Sequence, residues 1–201
     1  MSKNVRFGVV VAIGVALLAG LFFWMTQQAE RQSAGAKLSG PFELVDHFGK
    51  PFTQEDLKGK YTLLYFGYTY CPDVCPTELQ TIAEALALLG DAARDFRVVM
   101  VSVDPERDTP QVLKEYMSNF GDNFLGLTGT PEQIRNMARN WRTFYRKAEE
   151  KGPDDYLMDH SAIVFLLDKQ GNYMRHFAYG TSPQNMAEGI RQAIARKQGS
   201  S

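Results

Sequence analysis

The sequence predicts a mixed α/β domain, a sheet covered by helices on both faces, behind an N-terminal apolar segment long enough to cross a bilayer. Three observations carry this. YTLLYFGY (61–68) and FRVVMVSVD (96–104) are near-continuous apolar runs, the pattern of strands buried on both faces. Segments of helical spacing alternate with them, twice starting at a Thr-Pro pair. Strand–turn–strand patterns stand at both ends of the domain and add antiparallel pairing to the sheet.

From Phe7 to Met25 the chain runs 19 residues without a charge. A helix of about 20 apolar residues spans the roughly 30 Å hydrocarbon core. Lys3 and Arg6 precede the run, which puts residues 1–6 in the cytoplasm and the rest of the chain in a periplasm-like space; Trp24 suits the far interface. The competing reading is a cleaved signal peptide, with SAGA at 33–36 as a weak cleavage site. The run is long for a signal sequence, whose apolar region is about 7–15 residues, and this favours an uncleaved anchor in the inner membrane. Residues 26–40 read as a linker, 41–197 as the folded domain and 198–201 as a flexible tail.

Within the domain, FELVD (42–46) and KPFT (50–53) flank a turn as an opening hairpin. The strand at 61–68 leads into a helix over 74–89, where Leu79, Ile82, Ala83, Leu86 and Leu89 share one face. After the strand at 96–104, Thr109 caps a helix over 109–120 with Pro110 in its first turn. FLGLTG (124–129) is a short strand, and the Thr-Pro start recurs at 130 for a helix reaching Phe144. RKAEEKGPDDYLMD (146–159) reads as an exposed loop, expected to move His160 in and out as a ligand binds. SAIVFLLD (161–168) and YMRHFAYG (173–180) form the closing hairpin, and SPQNMAEGIRQAIARK (182–197) a final amphipathic helix.

The net charge of −1 and the lack of a basic cluster with interleaved aromatics exclude a nucleic-acid partner. Two cysteines in 201 residues are not a disulfide framework, so their interest is chemical. Both lie in CPDVCP, between a buried strand and a helix start, where open α/β sheets place their sites. Helical N–H groups and partial positive charge there favour thiolate over thiol. At a spacing of i, i+4 in a helical turn the Cα atoms of Cys71 and Cys75 are about 6 Å apart, within disulfide range. The pair can therefore close a disulfide, exchange one, or grip a soft metal ion; the spacing does not choose. A closed zinc site needs four ligands, usually with several cysteines, and this chain has two, which disfavours structural zinc. Asp73 is a candidate helix cap.

Of the three histidines, His47 falls in a hairpin turn and reads as solvated, and His176 falls in an exposed strand. His160 stands just before an apolar strand; by pattern alone such a histidine is more often structural than a ligand. Tyr65, Phe66, Tyr68 and Tyr70 read mostly as core, and the charges of SVDPERDTP (102–110) as the solvated rim of a strand end and helix start.

CPDVCP, SVDPERDTP and DHSAIVFLLDKQG (159–171) together resemble the Sco/SenC family of membrane-anchored copper proteins, over residues 40 to 195 and the N-terminal anchor. The resemblance implies a thioredoxin-like fold and copper, Cu(I) or Cu(II), held by Cys71, Cys75 and His160. It implies a metallochaperone serving the binuclear copper centre in subunit II of a cytochrome c oxidase, with other periplasmic copper chaperones as partners. Soft thiolates suit Cu(I), and imidazole also suits Cu(II). Asp159 and Asp73 are second candidates, to orient a ligand. The alternatives are a thiol–disulfide oxidoreductase using Cys71 and Cys75, or a redox or copper sensor. A peroxiredoxin-like peroxidase fits least, because Thr69 stands two residues before Cys71, one short of that family's spacing.

Overall fold

The computed structural model describes residues 38–148 and 156–199. A seven-stranded sheet runs β2-β1-β5-β4-β3-β8-β9, with β1 Glu43–Asp46, β2 Pro51–Thr53, β3 Tyr61–Gly67, β4 Phe96–Ser102, β5 Phe124–Thr128, β8 Ile163–Leu167 and β9 Tyr173–Ala178. Its centre, β3-β4-β5, is parallel, and the antiparallel hairpins β1-β2 and β8-β9 close the two edges. The mixed sheet and terminal hairpins expected from the sequence are both present. A separate pair joins β6 Tyr145–Lys147 to β7 Met158–His160.

The apolar runs become the core for the reason anticipated: Leu63, Leu64, Tyr65 and Phe66 on β3, and Val98 to Val101 on β4, are fully buried, so both sheet faces are covered. On the face of Tyr65 and Met100 lie α1 Val74–Leu88, α2 Pro110–Met117 and α4 Pro183–Gln198; α1 packs against α4, and α2 against β5. The α2 contact is close because the β5 residue beneath is Gly126, whose missing side chain leaves room for Leu113 and Met117. On the opposite face Trp141, following α3 Pro131–Asn140, sets its ring 5.4 Å from Phe165. The Thr-Pro helix starts hold: Thr109 accepts from the Val112 N–H, and Thr130 forms a capping box with Gln133.

Four expectations need correction. His47 is buried, not solvated: its Nδ1 accepts the Gly126 N–H at 3.1 Å, because β1 pairs with β5 and carries the turn over that strand. Residues 146–159 are not one exposed loop. Their ends pair as β6 and β7, and Tyr156 and Met158 are buried, because residues 157–160 run beside the thiol loop. SVDPERDTP is not a solvated rim, since Asp104 and Asp108 are buried. The helix expected to reach Phe144 ends at Asn140, with Arg142 at φ 52° turning the chain out. Among the described residues no helix is long and apolar enough to cross a membrane; the anchor expected over 7–25 lies outside them.

Candidate metal centre

Parallel pairing sets the location of the site. Gly67 of β3 registers with Ser102 of β4, so the segments that follow, 68–75 and 103–109, leave the sheet side by side at its carboxyl edge. Strand β8 runs antiparallel to β3, with Val164 opposite Tyr65, so the residues before β8 arrive at the same edge. This brings His160 to Cys75, 85 residues away in sequence, and to Cys71 beside it.

Cys71 sits on the loop before α1, half-buried, and Cys75 in the first turn of α1, fully buried. The Cys75 N–H, a first-turn donor without a helical partner, points at Cys71 Sγ at 3.4 Å. His160 Nε2 lies 3.4 Å from Cys75 Sγ, and the ligand atoms of Cys71, Cys75 and His160 all fall within 4.8 Å of one another. The His160 ring packs edge-on to Tyr65 and Tyr68, 6.0 and 5.8 Å between centroids, which restricts its rotation. Its Nδ1 is buried with no hydrogen-bond partner among the described residues. Cys71, His160, Tyr68, Pro72 and Leu157 line an open cleft of about 290 Å³ above the buried Cys75.

The two thiols differ in charge state. Hydrogen bonding from the Cys75 thiol, then from His160 and the Cys75 and Asp73 backbone N–H groups, holds Cys71 well below the ordinary thiol range. The thiolate at Cys71, with burial, pushes Cys75 up. The two shifts run in opposite directions and favour the anion at Cys71 over Cys75.

The secondary candidates sit apart from the sulfurs. Asp73 occupies the N-cap position of α1 without a side-chain bond to the helix N–H groups; its carboxylate accepts from Thr77 Oγ1. Asp159 points to solvent and pairs with Arg146 at 3.0 Å, the alternation of β7 sending it away from the side of Met158 and His160. His176 is exposed, 2.7 Å from Tyr173 Oη. Tyr65, Phe66 and Tyr68 are core, and Tyr70 is exposed.

Sequence reasoning missed the groups that brace the site. Asp108 accepts from the Thr69 N–H and Oγ1 and from Ser102 Oγ, so a buried carboxylate holds the start of the thiol loop. Asp104 accepts from Tyr156 Oη at 2.7 Å and pairs with Arg107. The available signal was position: acidic residues directly after a buried parallel strand neighbouring the thiol strand.

The sequence profile of the SCO1/SenC family matches residues 30–195. The chain belongs to the SCO1/SenC family. An SCO2-like protein of Rickettsia felis is 41% identical over 158 residues, covering 77% of this chain and 76% of that one. Arabidopsis thaliana ScoI, solved with copper bound, superposes with a TM-score of 0.75 at 39% identity, over 79% of this chain and 99% of that one. BsSco, described as a member of the Sco family of cytochrome c oxidase assembly proteins with a disulfide switch, gives a TM-score of 0.59 at 26% identity, over 78% and 92%. The mixed sheet flanked by helices is thus the thioredoxin-like fold of the SCO1/SenC family.

Proposed function

We propose that the protein is a copper metallochaperone that carries Cu(I) or Cu(II) on Cys71, Cys75 and His160 and helps assemble the binuclear copper centre in subunit II of a cytochrome c oxidase. The observation that carries this reading is the convergence of two sulfurs and an imidazole nitrogen within 4.8 Å at the rim of an open cleft. Two thiolates suit Cu(I) and the imidazole also suits Cu(II), so one ligand set serves both oxidation states. Three protein ligands beside a cleft leave a side open to an incoming ligand from a partner. The copper-bound Arabidopsis ScoI supports copper as cargo, and BsSco supports oxidase assembly as the destination. Residues 7–25 anchor the domain to the inner membrane with the site in the periplasm, where other copper chaperones supply the ion. Asp159 and Asp73 line the rim of the cleft, and the Asp73 backbone N–H favours the Cys71 thiolate.

A second reading has a specific observation in its favour. The half-exposed Cys71 sulfur beside a second cysteine is placed for thiol–disulfide exchange with a target's cysteines, or for redox or copper sensing. His160→Ala in the full-length protein separates them. Anaerobic Cu(I) competition is expected to show at least about tenfold weaker binding, while reduction of a model disulfide survives. If cells carrying His160→Ala assemble the oxidase normally, the thiol reductase is the better account.

A further inference from the structure

We propose that Arg107, clamped by Asp104, is a positioning residue that sets His160 over the thiols by gripping Tyr156. This deepens the copper reading and rests on it. The strand carrying His160 has a short pairing of its own: β6 and β7 share three residue pairs, Tyr145–His160, Arg146–Asp159 and Lys147–Met158, with one flanking backbone bond at each end, Ala148 N–H to the Leu157 carbonyl and Ser161 N–H to the Phe144 carbonyl. A two-stranded pair this short is marginal by itself. Its approach is instead fixed at Tyr156, four residues upstream of the imidazole. The Arg107 guanidinium lies 3.6 Å from the Tyr156 ring centroid and donates to the Tyr156 carbonyl oxygen at 3.0 Å. Asp104 completes the clamp, accepting from Tyr156 Oη at 2.7 Å and pairing with Arg107 Nε. Side chain and backbone of Tyr156 are thus both held, and by one turn.

The same turn holds the other arm of the site. Asp108 accepts from Thr69 Oγ1 at 2.6 Å and from the Thr69 N–H at 3.1 Å, two residues before Cys71. Asp104 and Asp108 are joined through Ser102 Oγ, which accepts the Asp104 N–H at 3.0 Å and donates to Asp108 at 2.6 Å. Arg107 also faces Tyr70, 4.6 Å from its ring centroid, on the thiol loop itself. Residues 102–108 therefore act as a jig: one end registers the thiol loop and the other the imidazole strand.

The clamp has a signature that a merely structural role lacks. If Arg107 acts through His160, its removal matters only while His160 is a ligand. In the full-length protein, Arg107→Ala is expected to weaken Cu(I) binding about tenfold, within the 10–100-fold range for partners that orient a ligand. In a His160→Ala background the same change is expected to have less than a threefold effect. Asp108→Asn, which loosens the thiol arm, is expected to weaken binding in both backgrounds. Tyr156→Phe, which keeps the ring under Arg107 and loses only the bond to Asp104, is expected to give a smaller loss that also vanishes in the His160→Ala background; it carries the same test where Arg107→Ala does not fold. Additive losses, or unchanged copper binding in Arg107→Ala and Tyr156→Phe, would overturn the proposal. Equal copper affinity in His160→Ala and wild type would sink the ligand set itself, a distinct outcome.

Discussion

Glu78 offers the most direct check on the electrostatics beneath the thiols. It stands one turn after Cys75 on α1, 2% exposed, and its Oε1 has no hydrogen-bond partner among the described residues. Burial pushes its carboxyl from 4.5 up to about 7. The folded state therefore binds this proton more tightly than the unfolded chain, and the resulting stability is present below pH 4.5 and lost as pH rises through about 7. At about 1.4 kcal/mol per pH unit between the two values, the loss from pH 4 to 8 is about 3 kcal/mol, an upper bound that water entry lowers. Glu78→Gln keeps the shape and cannot ionise. Denaturant unfolding of reduced protein at pH 5 and pH 8 gives the test: the variant is expected to gain on wild type by about 2–3 kcal/mol at pH 8 relative to pH 5. Comparing the two proteins cancels every other titrating group. A constant wild-type-to-variant difference across that range would refute the assignment of an uncompensated buried carboxyl.

Three further outcomes are expected. Gly67→Ala sets a Cβ 2.7 Å from the Tyr65 ring and 3.1 Å from Cys75 Sγ; urea unfolding is expected to show a loss of about 1–3 kcal/mol together with weaker copper binding, and an unchanged copper titration would count against the close packing behind Cys75. His47 has its pKa lowered, chiefly by burial, so its contribution is present above pH 6.5 and lost as pH falls; the wild-type stability curve is expected to drop below pH 6.5 more steeply than that of His47→Gln. Because the two shifts favour the anion at Cys71 over Cys75, Cu(I) loading at pH 8 is expected to release about one proton from the pair, read by calorimetry in buffers of different ionisation enthalpy; release of two would mean that Cys71 is protonated.

The strands and helices that carry the sheet were legible because burial writes itself into composition. YTLLYFGY and FRVVMVSVD have no polar face to offer solvent, and Thr109 and Thr130 announce their helices through caps the structure retains. Cys71 and Cys75 were legible as a pair because their spacing is local. The position of His160 beside them was carried by the family resemblance, since its approach depends on β8 running antiparallel to β3, a long-range fact. The same cause hid the rest. His47 and Asp108 look solvated by local pattern, and each is buried by a partner far along the chain, the Gly126 N–H in one case and Thr69 in the other. The β6-β7 pair was hidden because three-residue strands have too little periodicity to be seen.

The unequal thiols bear on which chemistry the site favours. In disulfide exchange the attacking sulfur works best when its pKa lies near ambient pH, because nucleophilicity falls as pKa falls. Cys71 is held far below that optimum, so it is abundant as thiolate but sluggish in attack and ready to leave. Cys75, which would have to resolve a mixed disulfide, is fully buried, and that burial disfavours its thiolate and its access to a partner's sulfur. Both departures handicap exchange. A metal ion is handicapped by neither. Cys71 would offer an anionic ligand at the cleft, and a bound cation would favour deprotonation of Cys75, with His160 3.4 Å from that sulfur. The asymmetry that slows a reductase is the arrangement that lets an ion enter at the rim and settle inward, which weighs the balance toward cargo binding.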